Sequence, residues 1–304
     1  MAFDAFLSIL LMLALGVVFR RLRVFPDNAA ETLNQVVLYV CLPAAVLRYA
    51  PRLPLDASVL GIALVPWVLL VATIGLVAAL SRGLSLRRDE HAVLLLCVGL
   101  GNTSFLGYPL VRALLGEAAL PYAVVYDQFG AFLILSTFGL FVLARYGGDE
   151  TPSTGAIVRR ILRFPPFLAL VVGLSLMPAD PPAVIAGLLQ RVSDALLPLA
   201  MLAIGLSIKF ALPRHELKPL AAGLALKLLL MPALAWLIVP WLGLDPLKAQ
   251  TVVLESAMPP MITAGALAIS HRLAPGLAAA LVGYGILLSL ITLPAWAWLL
   301  TSLH

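Results

Sequence analysis

The sequence predicts an all-α integral membrane protein of ten membrane-spanning helices, arranged as two inverted five-helix repeats whose fourth and ninth helices are interrupted and cross. Three observations predict it. Of the 304 residues, 62% are hydrophobic and 12% charged, and the mean hydropathy of +1.05 does not describe a soluble domain. Apolar runs of about 20 residues, the length that crosses a bilayer core, recur along the whole chain and leave little for an extramembrane domain. The halves also align on one another when Gln35 is laid on Gln190.

The first span, near residues 3–19, has Asp4 but no Lys or Arg at its start, and Arg20, Arg21 and Arg23 follow it. That charge order belongs to an uncleaved anchor with its N-terminus outside rather than to a signal peptide. Spans follow near 30–50, 57–81, 91–115 and 119–144, then near 164–178, 183–210, 217–241, 247–270 and 275–300. The polar stretch Gly-Gly-Asp-Glu-Thr-Pro-Ser-Thr-Gly within 146–160 divides the chain into a first repeat, 1–145, a short cytoplasmic linker, 146–163, and a second repeat, 164–304. Connections after the odd-numbered spans hold fourteen Lys and Arg, among them Arg82, Arg145, Arg163, Lys209 and Arg272, against five on the other side. Both termini are therefore expected outside.

The net charge of +5 is spread as short clusters at span ends, where basic residues anchor helices, so nucleic acid is not an expected partner; the lipid bilayer is. Cys41 and Cys97 lie inside apolar runs and form neither a disulfide framework nor a metal site. Zinc, nucleophile-elbow and phosphate-loop signatures are absent from the sequence, which argues against an enzyme and calls for no resident cofactor.

An odd number of helices per half inserts the halves upside down relative to each other. The alignment makes Pro43 and Pro198 equivalent mid-helix prolines and lays Asn102-Thr103-Ser104-Phe105 over Ala257-Met258-Pro259-Pro260. The first break continues through Gly107, Tyr108 and Pro109, and the second through Met261 and Ile262. A backbone freed from helical bonding survives at bilayer depth only in protein or against a cavity. Matching breaks in inverted halves mark the binding site of a secondary transporter, and two half-helix N-termini meeting there suit a carboxylate. Asn102, Thr103, Ser104, Gly107, Tyr108, Pro259, Pro260, Met261 and Ile262 are the expected substrate-binding residues. Pro43, Pro109, Pro198, Pro259 and Pro260 are the expected hinges.

Four ionisable groups fall within spans, and each needs a partner or a purpose. Asp194 follows Arg191 by three residues, the spacing of a local ion pair. Glu255 stands one turn before Pro259, where unwinding frees carbonyl oxygens, a setting for sodium or a proton. Asp127 and Lys227 lie near their spans' midpoints; either they form one polar centre with Glu255, whose negative charge a bound proton or Na⁺ offsets, or they pair simply to hold helices together. Glu255, Asp127 and Lys227 are the expected ion-coupling groups.

Gly101-Asn102-Thr103-Ser104-Phe105-Leu106-Gly107-Tyr108-Pro109-Leu110 resembles the fourth-helix crossover of the auxin efflux carrier family, whose bacterial members are described as malate or malonate permeases. Leu38 to Ala44 around Pro43, Val125 to Gly130 around Asp127, Leu197 to Leu206 after Pro198, and Glu255 to Pro260 resemble that family's second, fifth, seventh and ninth helices. The resemblance implies the fold shared with bile-acid symporters and NhaA-like transporters, and an organic anion held at the crossover near Asn102. It implies an elevator, with helices 3–5 and 8–10 moving against a scaffold of helices 1, 2, 6 and 7, and a homodimer formed through the scaffold. In the bile-acid symporters a ninth-helix Glu at the position of Glu255 binds sodium, so Na⁺ is possible near Glu255 and Asn102 by resemblance, and H⁺ against Na⁺ stays open. The long central loop of plant auxin carriers is missing here.

The expected function is secondary active transport of small organic anions, mono- or dicarboxylates or auxin-like acids, across a bacterial inner membrane. The alternatives are a sodium-coupled symporter of a bile-acid-type anion, and a membrane substrate sensor or channel-like pore.

Overall fold

The computed structural model describes residues 2–53, 56–148, 153–207 and 214–302. The linker residues Asp149, Glu150, Thr151 and Pro152 and the end of the seventh expected span with Lys209 lie outside them.

Helix follows helix because the apolar runs can satisfy their backbone groups only internally. The order is α1 (Ala2–Leu22), α2 (Ala29–Arg52), α3 (Ser58–Leu84), α4 (Arg88–Gly99), α5 (Tyr108–Leu115), α6 (Glu117–Gly147), α7 (Thr154–Leu162), α8 (Pro165–Ser175), α9 (Ala183–Ser207), α10 (Leu217–Leu242), α11 (Pro246–Ser256), α12 (Ile262–Ser270) and α13 (Pro275–Thr301). Among the described residues, α2, α3, α6, α9, α10 and α13 are long and apolar enough to cross a membrane, and α8 is a shorter apolar helix. The chain is a multi-pass membrane protein. The expected fourth and ninth spans each fall on two short helices, α4 with α5 and α11 with α12.

Local chemistry explains several boundaries. Asp56 caps the third span, accepting from the Ser58 hydroxyl and, at 2.8 Å, from the Ser58 amide, and these bonds hold its carboxyl below the usual carboxylate range. Proline bends the interior helices by a repeated device. A proline removes one donor and crowds the carbonyl a turn earlier, and widened π turns at Val37–Cys41, Thr103–Gly107 and Leu226–Leu230 stand just before Pro43, Pro109 and Pro232. Pro198 lies at the start of the second part of α9, after a break at Ala195.

Two apolar clusters organise the interior. One gathers α1, α2, α8 and α9 around Ile9, Leu42, Val46, Leu170 and Ile204, and reaches α5, α6, α11 and α13 through Leu110, Leu120, Leu254 and Ile286. The other joins α3, α4, α6, α10 and α13 around Ile62, Val93, Leu96, Ile134, Leu228 and Leu277. In the first, α1 meets α9 so closely that a Cβ at Gly16 would stand 2.5 Å from the Leu202 carbonyl oxygen; small residues let the backbones touch. Leu60, Val71, Ile291 and Trp298 project from the outer surface, where lipid is their natural solvent. The breaks sit where the clusters meet: Leu100 and Met261 belong to one, Phe105 and Met258 to the other.

Candidate functional site

At the two breaks the chain is extended, and each break satisfies the other. Gly101 and Pro260 form an antiparallel bridge; the Asn102 amide donates to the Pro259 carbonyl at 2.8 Å and the Met261 amide to the Leu100 carbonyl at 2.9 Å. The prolines suit this place because Pro259 needs only to accept. The interrupted helices therefore cross by direct backbone pairing, which leaves the first N–H groups of the half-helices beyond the breaks without intrahelical partners.

Asp127, on α6, fastens the first break. Thr103 and Ser104 donate their hydroxyl protons to its Oδ1 at 2.5 and 2.6 Å, and the Tyr108 hydroxyl and Gln128 amide donate to its Oδ2 at 3.0 and 2.7 Å. A hydroxyl has one proton. With Asp127 ionised, Thr103 and Ser104 offer a ligand only lone pairs, so they order the break rather than donate to a bound anion. Asn102 differs from them. It is 3% exposed, and its side-chain amide nitrogen is buried without a hydrogen-bond partner.

Asn102 lines a cavity of about 310 Å³ whose wall at the crossing also carries Ser104, Asp127, Met261 and Thr263. Its other walls bring Tyr39 from α2, Ser136 from α6 and Arg163 from the head of α8. The Ser136 hydroxyl is likewise buried without a partner. Of the residues expected to bind, Asn102, Ser104 and Met261 line this cavity. Thr103, Gly107, Pro259, Pro260 and Ile262 support the crossing from outside it. Tyr108 lines a second cavity of about 320 Å³ with Pro109, Arg112 and Asp194. Since Leu42 borders the first cavity and Ala45 and Tyr49 the second, the two lie at successive levels along α2, on either side of the crossing.

The charges sort differently from the sequence expectation. Asp194 does not take Arg191 as its partner; it accepts from Arg112 on α5 and, at 2.6 Å, from Gln190. Tertiary contact overrides the local spacing because α5 brings Arg112 against α9. Arg112 also meets Glu117 at 3.0 Å, and Glu117 meets Arg48 at 3.5 Å. This network ties the crossing helix to α2 and α9. Replacing Asp194 by Ala is expected to loosen it, so that an Ala113→Cys probe in the second cavity reacts faster with a membrane-impermeant thiol reagent than in the parent; the native Cys41 and Cys97 are buried and give a low background.

Glu255 is fully buried, and neither carboxylate oxygen has a hydrogen-bond partner. It presses on Gly107, where a Cβ would stand 2.5 and 2.8 Å from its oxygens. Lys227 donates to the Ser256 carbonyl at 3.4 Å and forms no ion pair within 4 Å with Asp127 or Glu255. The alternative of an Asp127–Lys227 pair holding helices together is therefore not what the structure contains. Lys227 and Glu255 border a void of about 10 Å³ beside Gly101, separate from the cavity that holds Asn102. Its lining mixes Thr73, Tyr126, Lys227 and Glu255 with apolar groups such as Pro66, Leu69 and Met231. A cation placed there would sit beside the Lys227 ammonium group. Gly107→Ala is expected to destabilise the fold by about 1–3 kcal/mol through overpacking against Glu255, read as a lower melting temperature that Glu255→Ala in the same chain partly restores.

The membrane transport protein family model matches residues 1–297. The chain belongs to that family. This is the family to which the auxin-carrier resemblance pointed. The membrane transport relatives include an uncharacterized transporter of Methanothermobacter thermautotrophicus, 30% identical over 97% of both chains. Another uncharacterized transporter, from Methanocaldococcus jannaschii, is 25% identical over 98% of this chain and 99% of its own. A Rhizobium meliloti protein named "Putative malonate transporter" is 26% identical over 82% of this chain and 80% of its own. A membrane transport family moves solutes rather than converting them, in line with the missing enzyme signatures.

Within this membrane transport chain, sequence reasoning passed over Ser136, Thr263 and Arg163. Ser136 lies nine positions after Asp127, which on a regular α-helix is the opposite face. The π turn at Tyr126–Ala131, between them, shifts the register by about one residue and helps bring both onto one cavity. Arg163 was visible only as one of the basic residues that set orientation.

Proposed function

We propose that this protein is a secondary active transporter of small organic anions, with malonate-sized carboxylates as substrates. The carrying observation is that Asn102, whose buried side-chain amide nitrogen has no partner among the described residues, lines a cavity at the crossing of two broken helices. A donor left without a partner in a buried wall is a standing penalty that a carboxylate ligand relieves. The half-helix N-termini beside it add partial positive charge. The relative named for malonate supports the substrate class.

In this proposal the chain is the ten-helix inverted repeat expected from its sequence, in a bacterial inner membrane with both termini outside. Helices α1, α2, α8 and α9 form the scaffold and also a dimer contact, and α3 to α6 with α10 to α13 carry the site. The cavity with Asn102 and Arg163 lies on the linker side of the crossing, and the cavity that the Arg112–Asp194 pair lines lies on the other. Coupling runs through Glu255, with Lys227 in the place of a bound cation and a proton as the coupling ion; the ammonium group beside Glu255 in so small a void favours H⁺ over Na⁺.

Thermal unfolding of the purified protein with a panel of organic anions tests the reading, because a ligand of the folded state raises its apparent stability. Stabilisation by malonate and its near relatives is expected. Stabilisation by bile acids alone, with Na⁺ required, would favour the bile-acid-type reading instead.

A further inference from the structure

We propose that Arg163 is the anchor for a second carboxylate and makes the cavity selective for short dicarboxylates over monocarboxylates. This rests on the proposed transport site and adds to it a residue that decides specificity. The sequence offered Lys227 as a second positive contact, but Lys227 borders the small void behind the crossing. Arg163 is the cationic side chain that lines the cavity itself.

Several observations converge on it. The Arg163 side chain, exposed at the end of α7, makes no hydrogen bond or ion pair with any described residue, whereas Arg48, Arg52, Arg87 and Arg112 are all paired. Asp127, the acidic group on the same cavity, already accepts four hydrogen bonds from Thr103, Ser104, Tyr108 and Gln128 and is not taken up by Arg163. The backbone next to Arg163 is pinned, because Phe164 stacks on Phe132 of α6 with ring centroids 3.9 Å apart and planes 11° from parallel, and both rings border the cavity. Arg163 is thus an exposed guanidinium without a partner among the described residues on one wall of a cavity that Asn102 and Ser136, each with a buried unpartnered polar atom, line from the others.

Such a cavity has two poles of different chemistry. Neutral donors and half-helix N-termini at the crossing take one carboxylate without a full charge. A guanidinium takes another by a two-pronged, charge-assisted pair whose planar geometry a lysine does not reproduce. A monocarboxylate uses only the first pole. A three- or four-carbon diacid uses both, and Arg163 balances the second negative charge that a neutral site would repel.

The test compares malonate with propionate, which has the same number of carbons and one carboxylate, by titrated thermal stabilisation of the full-length protein. Wild type is expected to bind malonate more tightly than propionate. Arg163→Ala and Arg163→Gln are expected to weaken malonate binding by about tenfold or more and to leave propionate unchanged, with Arg163→Lys recovering part of the loss. Ligand-free melting temperatures matching wild type show that the variants fold, and two variants guard against one that does not. Equal loss for both acids, no loss for either, or a wild type that holds propionate as tightly as malonate overturns the role of Arg163 and leaves the transport site standing. A wild type that binds neither acid overturns the transport site and this inference with it. Stabilisation of wild type by anionic lipid headgroups but by neither acid has the same meaning, and identifies Arg163 as a lipid contact.

Discussion

Asn102→Ala is expected to abolish measurable anion binding while the chain remains folded. The side chain is 3% exposed and its amide nitrogen bonds to none of the described residues, so its removal deletes no internal hydrogen bond made by that nitrogen. The backbone pairing that holds the crossing, Asn102 amide to Pro259 carbonyl and Met261 amide to Leu100 carbonyl, survives the substitution. What is lost is the donor to the ligand, and a hydrogen bond to a charged group is worth about 1.5–3 kcal/mol, roughly one to two orders of magnitude in affinity. For a transporter of modest affinity that loss takes binding out of range. Unchanged transport by a folded Asn102→Ala protein would remove the site from the crossing. Thr103→Val serves as the contrast: its hydroxyl is spent on Asp127, so the expected defect is a less stable crossing rather than a selective loss of the anion.

Glu255→Gln is expected to separate binding from coupling. Gln keeps the shape and removes the titrating group from a position that is fully buried and has no donor facing either oxygen. A charged carboxylate there has only the Lys227 ammonium nearby to offset it, whereas a neutral one leaves Asp127 and Lys227 as balancing charges and lets an anion enter at lower electrostatic cost. In wild type, malonate binding is expected to strengthen as pH falls, because the proton that neutralises Glu255 enters with the anion. In Glu255→Gln the pH dependence disappears, exchange of anion across the membrane continues, and accumulation driven by a proton gradient stops. Replacing Na⁺ by K⁺ changes neither protein. A Na⁺ requirement that vanishes in Glu255→Gln would instead make the ion sodium and require oxygen ligands to gather around Glu255 in another state.

The parts of this picture that were legible in the sequence are those set by backbone chemistry. Pro259 and Pro260 cannot continue a helix, and the glycines and small polar residues from Gly101 to Gly107 cannot be left to lipid, so both breaks were visible. The depth of Asp127, Lys227 and Glu255 was visible for the same reason. Their partners were not. Thr103, Ser104 and Tyr108 converge on Asp127 only because α6 passes beside the first break, and Lys227 reaches the Ser256 carbonyl rather than a carboxylate. The Asp194 partner was misread because its neighbour in sequence, Arg191, is more conspicuous than Arg112 on α5, which the crossing delivers. Ser136 was hidden by π turns that no periodicity reveals, and Arg163 by its ordinary place at the end of a polar linker.

The central claim is that an organic anion is carried at the helix crossing by a coupled transporter. Uptake of labelled malonate into proteoliposomes containing the purified full-length protein tests it most directly, with and without an imposed proton gradient. Accumulation above the external concentration that collapses with the gradient and is absent in Asn102→Ala is the expected result. Equilibration without accumulation under any ion gradient, or accumulation that Asn102→Ala leaves intact, would contradict it.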